Sequence, residues 1–190
     1  MRKLLIAIAA ALTASSAHGE TEQHDATIVY ALPFKSGSWV RVLQGYDDPR
    51  SHEGSQRFAI DFAVPIGTRV LAVRDGVVTG TGTIPRDVKD EPGTTRGDYV
   101  WVGHSDGTVG FYLHLRHKSA AVKVGQAVKT GELLGYSGCT GHCRAGLLHF
   151  HVSTPLESRY DSNDFKTFPT VFKTTNGVEF LEPNRSYRVP

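Results

Sequence analysis

The stretch LLHFHVST, Leu147 to Thr154, carries the pattern on which the fold reading turns. Leu148, Phe150 and Val152 alternate with Leu147, His149 and His151, and a period of two is the mark of a β-strand with two different faces. One face is uniformly apolar. The other holds two histidines, so the strand buries one side and offers imidazoles on the second. Whether both histidines serve one site depends on what the neighbouring strands present.

Two further segments repeat the design. In FAIDFAV, Phe58, Ile60, Phe62 and Val64 point one way, and Asp61 points the other between the small residues Ala59 and Ala63. In FYLHL, simple alternation puts Phe111, Leu113 and Leu115 on one face and Tyr112 with His114 on the opposite one. An antiparallel sheet can keep one face packed and open the other to a groove, so a shared polar site is expected there. His52, in SHEG, precedes the Asp61 strand on a loop. Taken singly, each residue has an ordinary explanation. A lone histidine on a half-exposed strand is usually a surface residue, and His104 and His117, which adjoin turns, read that way. His142 lies between two cysteines. The common face is what sets Asp61, His114 and the Leu147 strand apart.

The remaining chain supports an all-β, antiparallel domain, because no segment of useful length after the N-terminus shows a 3.6-residue apolar period. TRVLAVRDGVVTGTG (68–82) and DYVWVGHSDGTVGFYLHL (98–115) each read as two strands around an Asp-Gly pair, which suits a two-residue hairpin turn. Residues 85–97 form a long polar loop between them. VKVGQAVKTGELLGYSG (122–138) adds short strands separated by glycines. The tail from Thr154 to Pro190 is expected to be irregular, with weak strand signals at Thr170 to Phe172 and Val178 to Leu181.

Arg2 and Lys3 precede an apolar run, Leu4 to Leu12, and then small residues as far as Gly19. This reads as a secretory signal peptide over 1–19, too short to span a bilayer, which takes about 20 residues. Residues 20–190 are then one domain, placed in the periplasm or outside the cell. The net charge is only +2 without a Lys/Arg block, so nucleic-acid binding has little support. Cys139 and Cys143 lie close together in a chain bound for an oxidising compartment, and a disulfide is expected.

Zinc accepts imidazole nitrogen and carboxylate oxygen, and a catalytic site keeps three protein ligands and an open fourth position. Asp61 plus histidines supplies such a set. A further histidine off the metal can hold or move protons.

These residues, in this order, resemble the M23 family of zinc metallopeptidases, the lysostaphin-type peptidoglycan endopeptidases. The resemblance covers roughly Gly45 to Thr154 and rests on SHEGSQRFAIDFAVPIGTRVLAVRDGVV, YVWVGHSDGTVGFYLHL, VKVGQAVKTGELLGYSGCTG and LHFHV. It implies an antiparallel sheet with a zinc groove and hydrolysis of peptide cross-links in peptidoglycan. By position, His52 and Asp61 match the first two zinc ligands, and His114 matches the catalytic histidine of the groove.

Two departures stand out. The family often carries His-x-Gly-x-Asp, whereas here eight residues separate His52 from Asp61, a difference of loop length. The family also ends its site with His-x-His-Phe, in which the second histidine binds zinc and the first assists catalysis. Matching without a gap pairs His149 with the zinc ligand, puts Leu147 at the catalytic position and leaves His151 as an additional histidine. The rival register makes His149 catalytic and His151 the ligand. A shift of two residues preserves the outward face, so alternation does not separate the two, but the rival needs two extra residues around Cys139 to Cys143. The gapless register is therefore preferred, with His52, Asp61 and His149 as metal ligands and His114 as the catalytic group. Leu147 leaves a second class of function open: a weakly active or inactive zinc module that binds peptidoglycan or regulates another wall hydrolase through a protein partner. A third, metal-free carbohydrate-binding sheet, fits the Asp61, His114 and His149 faces poorly.

Overall fold

The computed structural model describes residues 28–83, 97–155 and 165–190. The expected signal peptide and nearly all of the 85–97 loop lie outside them. Fourteen strands follow in order: β1 (Val29–Ala31), β2 (Trp39–Gln44), β3 (Ile60–Ala63), β4 (Arg69–Leu71), β5 (Gly76–Thr83), β6 (Asp98–Gly103), β7 (Val109–Leu115), β8 (Ala127–Val128), β9 (Leu133–Tyr136), β10 (Leu147–Ser153), β11 (Thr167–Phe168), β12 (Val171–Thr174), β13 (Gly177–Glu179) and β14 (Ser186–Arg188). One short 3-10 turn, Gly54–Gln56, is the only helical element among the described residues. No helix there is long and apolar enough to cross a membrane.

The main sheet runs β14-β2-β3-β10-β7-β6-β5-β8, with β11 joined to the end of β10. Its pairs are all antiparallel, as the alternation predicts. Two small sheets, β1-β12-β13 and β4-β9, cover one face. β1 and β12 run parallel, the one departure from an antiparallel fold. Between the layers lies the core: Phe62 packs edge-on to Phe34 and Phe172, and Phe172 meets Phe150 in the same manner. The hydroxyl of buried Tyr112 accepts the Val73 amide proton at 2.9 Å, so this ring brings its polar atom into the core with a partner.

Only one of the two expected hairpins forms. β6 and β7 pair, but their loop is longer than two residues: His104 and Thr108 close it, and Gly107 alone takes a positive φ, +82°. Asp106 accepts from the Thr108 amide and from Arg74 instead of supplying a left-handed residue. Around Asp75-Gly76 the chain leaves one sheet for another, because β4 pairs with β9 while β5 pairs with β6 and β8. An Asp-Gly pair signals a change of direction and says nothing about the partner. Asp75 accepts from the Thr130 amide across the turn before β9. The tail is not irregular. Its described part supplies β11 to β14: β12 and β14 pair with the distant β1 and β2, β11 with the end of β10, and β13 with β12, and all are too short for local pattern to mark well.

β10 occupies the middle of the main sheet, and all seven of its residues are buried. The segment entering it runs close to the end of β7, with Gly138 bridging to Leu147. A Cβ on Gly138 would lie 2.5 Å from the Arg116 amide nitrogen and 2.7 Å from its Cα. Both are backbone atoms that cannot swing aside. Gly138→Ala is therefore expected to destabilise the fold by about 1–3 kcal/mol, the usual range for forced overpacking. Urea denaturation of the two proteins measures this, and equal midpoints would contradict the close approach.

Candidate metal centre

Register builds the site. His149 on β10 stands opposite Asp61 on β3 and opposite Leu113 on β7. Residues directly opposite in a sheet share a face, so Asp61 and His149 meet there, while Phe62, Leu148 and Phe150 go to the core. His52 reaches the same point from the loop before the 3-10 turn, its amide held by the Asp48 carbonyl at 2.8 Å. One Asp61 oxygen, Oδ1, lies 2.8 Å from His149 Nδ1 and 3.4 Å from His52 Nε2. The three donor atoms all lie within 4.8 Å of one another, and all three residues are buried.

Protonation is fixed by the neighbours. His52 Nδ1 is 2.8 Å from the Gly45 carbonyl, which can only accept, so the ring proton sits on Nδ1. Its Nε2 then presents a lone pair toward Asp61, and this buried nitrogen has no hydrogen-bond partner. Such an atom is costly unless something else meets it. Donor atoms on a tetrahedral zinc, with bonds of about 2.0 Å, lie about 3.3 Å apart. The His52 to Asp61 separation already matches, and the shorter His149 contact is a hydrogen bond that a cation would replace. Burial disfavours charge on Asp61, but the hydrogen bond from His149 and the nearby His52 ring hold its carboxyl well below the usual range.

His114 reaches this face by a route that simple alternation misses. On β7 the structure reverses the expected faces: Phe111 and Leu113 stand opposite His151 and His149, and Tyr112 joins the core. Asp98 pairs with Leu115 and Tyr99 with Leu113, so His114 is left over as a bulge at φ +63°. Histidine is among the residues enriched at positive φ. The bulge returns Leu115 to the core and turns His114 toward the site, with its ring centre 6.0 Å from that of His149. Thr140 pins it from a five-residue segment closed by the expected Cys139–Cys143 disulfide. The Thr140 carbonyl accepts from His114 Nδ1 at 2.6 Å, and its hydroxyl donates to the Leu115 carbonyl.

His151 lies beside the cluster. It packs with its ring near-parallel to those of Phe111 and Phe165, whose centres lie 4.5 and 5.4 Å away, and its Nδ1 is 3.1 Å from His149 Nε2. Either tautomer of His149 thus finds a partner, because the pair can pass one proton between those nitrogens. Among the remaining histidines, His117 is exposed and pairs with Asp98 at 3.0 Å. His104, expected at the surface, is buried and bonds to Thr108 inside the β6–β7 loop. The Gly45 and Thr140 carbonyls and Phe165 carried no sequence signal, since backbone partners and a stacking ring from beyond the motifs follow only from the fold.

The sequence profile of peptidase family M23 matches residues 55–162. The chain belongs to that family. His52 lies three residues before the matched segment. Among M23 relatives, the peptidoglycan DD-endopeptidase ShyA of Vibrio cholerae is 35% identical over 116 residues, 59% of this chain and 24% of that protein. The glycyl-glycine endopeptidase ALE-1 of Staphylococcus capitis is 32% identical over 133 residues, 68% of this chain and 34% of that protein. The chain therefore spans about a third of one relative and a quarter of the other. A solved structure of the antimicrobial peptidase lysostaphin from Staphylococcus simulans superposes with a TM-score of 0.50 at 28% identity, covering 68% of this chain and 46% of that one. The M23 fold expected from the sequence is the fold observed.

Burial, and then the neighbouring His149, lower the His114 imidazole to about 4. In the metal-free chain its ring should titrate near that value when followed by NMR. The unfolded ring has the ordinary value of 6.5 and binds a proton more readily. The stabilisation from keeping His114 neutral is thus complete above pH 6.5 and is lost as pH falls toward 4. A midpoint near 6.5 in the folded chain would contradict the burial of the ring beside His149.

Proposed function

We propose that the chain is an exported, zinc-dependent endopeptidase that hydrolyses peptide cross-links of cell-wall peptidoglycan. The observation that carries this is the buried His52, Asp61 and His149 set, with the partnerless Nε2 of His52, in a chain of the M23 family. The names of its relatives, a DD-endopeptidase and a glycyl-glycine endopeptidase, support the substrate class. The basic, apolar segment at 2–12 supports export to the periplasm or beyond.

In this reading Nε2 of His52, a carboxylate oxygen of Asp61 and Nδ1 of His149 hold zinc. A zinc ion so held acidifies water and polarises a carbonyl. His52 and His149 serve as neutral ligands, the first because its Nδ1–H donates to the Gly45 carbonyl and the second because its Nε2–H can donate to His151 Nδ1. The Gly45 carbonyl also fixes the plane of the His52 ring, as outer partners of metal-binding histidines do. His114 keeps its proton on Nδ1, in the bond to Thr140, which leaves Nε2 to accept a proton or, once protonated, to donate to a developing oxyanion. Its low proton affinity keeps that nitrogen available near neutral pH. The family's other catalytic histidine position is Leu147, which handles no protons. Loss of one acid-base group lowers rates by about 10² to 10⁴-fold, so turnover is expected to be slow.

The His114→Ala protein should keep one zinc per chain and lose about 10² to 10⁴-fold of its activity on purified sacculi; loss of the metal would refute the assigned role. His149→Ala should empty the site, while His151→Ala keeps the stoichiometry at saturating zinc with affinity reduced about 10- to 100-fold, as for other outer partners. The opposite pair of results would mean that His151 is the ligand. Leu147→His should raise turnover, read by chromatography of the released muropeptides. No cleavage by either the wild type or this variant would favour a binding or regulatory module.

A further inference from the structure

The face that holds Asp61 and His149 does not end at β3. Ala63 follows Asp61 on the same side and stands opposite Leu147 on β10 and opposite Arg41 on β2. From Arg41 the same face continues by alternation to Trp39, and across to Ser186 and Arg188 on β14. β2 and β14 both lie outside residues 55–162, the segment that the family profile matches. This strip thus lies beside the matched segment, in line with its centre.

Its chemistry differs from that of the surrounding surface. Trp39 is 69% exposed, the most open of the large apolar side chains among the described residues. Arg41 and Arg188 are both exposed and neither forms an ion pair among the described residues, as is also true of Arg69, Arg116 and Arg144 elsewhere, whereas Arg50, Arg57, Arg74 and Arg185 each have a carboxylate partner. Arg41 touches only the neutral Asn184 side-chain oxygen, at 3.3 Å. Two unneutralised guanidinium groups beside an open indole form a surface that suits an anionic, extended ligand. Guanidinium binds carboxylate through two parallel hydrogen bonds, and indole offers a flat face for a backbone or ring.

The spacing suits a peptide that also reaches the metal centre. Two residues along a strand is roughly 6.6 Å and one strand across is roughly 4.8 Å. Arg41 therefore sits about 8 Å from Asp61, backbone to backbone, and Trp39 and Arg188 about 14 to 16 Å. An extended peptide covers about 3.3 to 3.6 Å per residue. A ligand bonded over Asp61 would pass Arg41 two or three residues away and reach Trp39 and Arg188 after about four.

We propose that Trp39, Arg41 and Arg188 form a subsite for a carboxylate-bearing arm of the wall peptide, whose scissile bond lies over His52, Asp61 and His149. The subsite selects substrates with free side or terminal carboxylates several residues from the cut. It rests on the peptidase reading for its substrate and has no part in metal binding, so the two can fail separately.

The test uses the full mature chain and soluble cross-linked muropeptides in two forms, one with free carboxylates and one with carboxylates chemically amidated. Binding is measured by calorimetry on the metal-stripped protein, and kcat and KM on the zinc-loaded one. Arg41→Gln and Arg188→Gln should each weaken binding of the free-carboxylate form about 3- to 10-fold, the range for exposed to well-formed charged contacts. Both should raise KM by a similar factor, leave kcat and zinc content unchanged, and bind the amidated form as weakly as the wild type does. Trp39→Ala should weaken both forms. Equal binding of the two forms by the wild type, or no effect of the double arginine variant, overturns the subsite. So does tighter binding of a phosphodiester wall polymer that competes for the same arginines. Arginine-dependent binding in a protein that cleaves no muropeptide sustains the subsite and refutes the peptidase reading. Normal cleavage with an unmoved KM does the reverse.

Discussion

Everything at the centre of this protein is arranged around one buried carboxylate. Asp61 is 7% exposed, and a carboxylate removed from water is unfavourable by several kcal/mol unless donors or cations surround it. β10 must therefore bring His149 opposite it, and the loop before the 3-10 turn must bring His52 over it. That loop is fastened in turn by the Asp48 carbonyl to the His52 amide and by the Gly45 carbonyl to the His52 ring. A metal ion satisfies the same requirement more completely, because it meets the lone pair that His52 otherwise holds in a dry environment. Stability and the metal affinity proposed for this site would thus draw on the same three side chains.

The second constraint is the bulge on β7. A regular strand carrying Tyr112 into the core would carry His114 there as well. By taking one residue out of the ladder at φ +63°, the chain gives both aromatic core packing and an imidazole on the site face. The disulfide-closed segment serves that geometry through Thr140, which binds the ring nitrogen and the next carbonyl. Sheets often place bulges beside active sites because they re-aim a side chain without ending the strand. Here the re-aimed residue is His114, whose ring nitrogen Nδ1 is held by the Thr140 carbonyl.

What could be read in advance followed the physics of each signal. β3 and β10 are regular strands, so alternation alone assigned Asp61, His149 and their core neighbours to the proper faces, and the order of motifs pointed to the family. β7 was read with its faces reversed, since no local pattern marks a bulge and His114 reached the site face only because of it. The Asp75-Gly76 turn was legible as a turn and misread as a hairpin, because partner choice is a property of the whole sheet. His104 looked like a surface residue beside a turn and is buried, since the turn folds inward over Tyr30. The strands of the tail were faint because two- to four-residue strands at a sheet margin carry almost no periodic signal of their own.

The pairing of β1 with β12 and of β2 with β14 has a kinetic meaning. Each pair joins segments far apart in sequence. Folding rates fall as contacts become more distant in sequence, and the main sheet closes its β2 margin only when β14 joins it. A partly folded chain can form the β5-β6-β7 meander but cannot seal the layer that holds Tyr187 and Val40 in the core. Completion of the fold is thus coupled to the docking of β14. Until then the chain remains open, with the loop that carries His52 unsupported on one side.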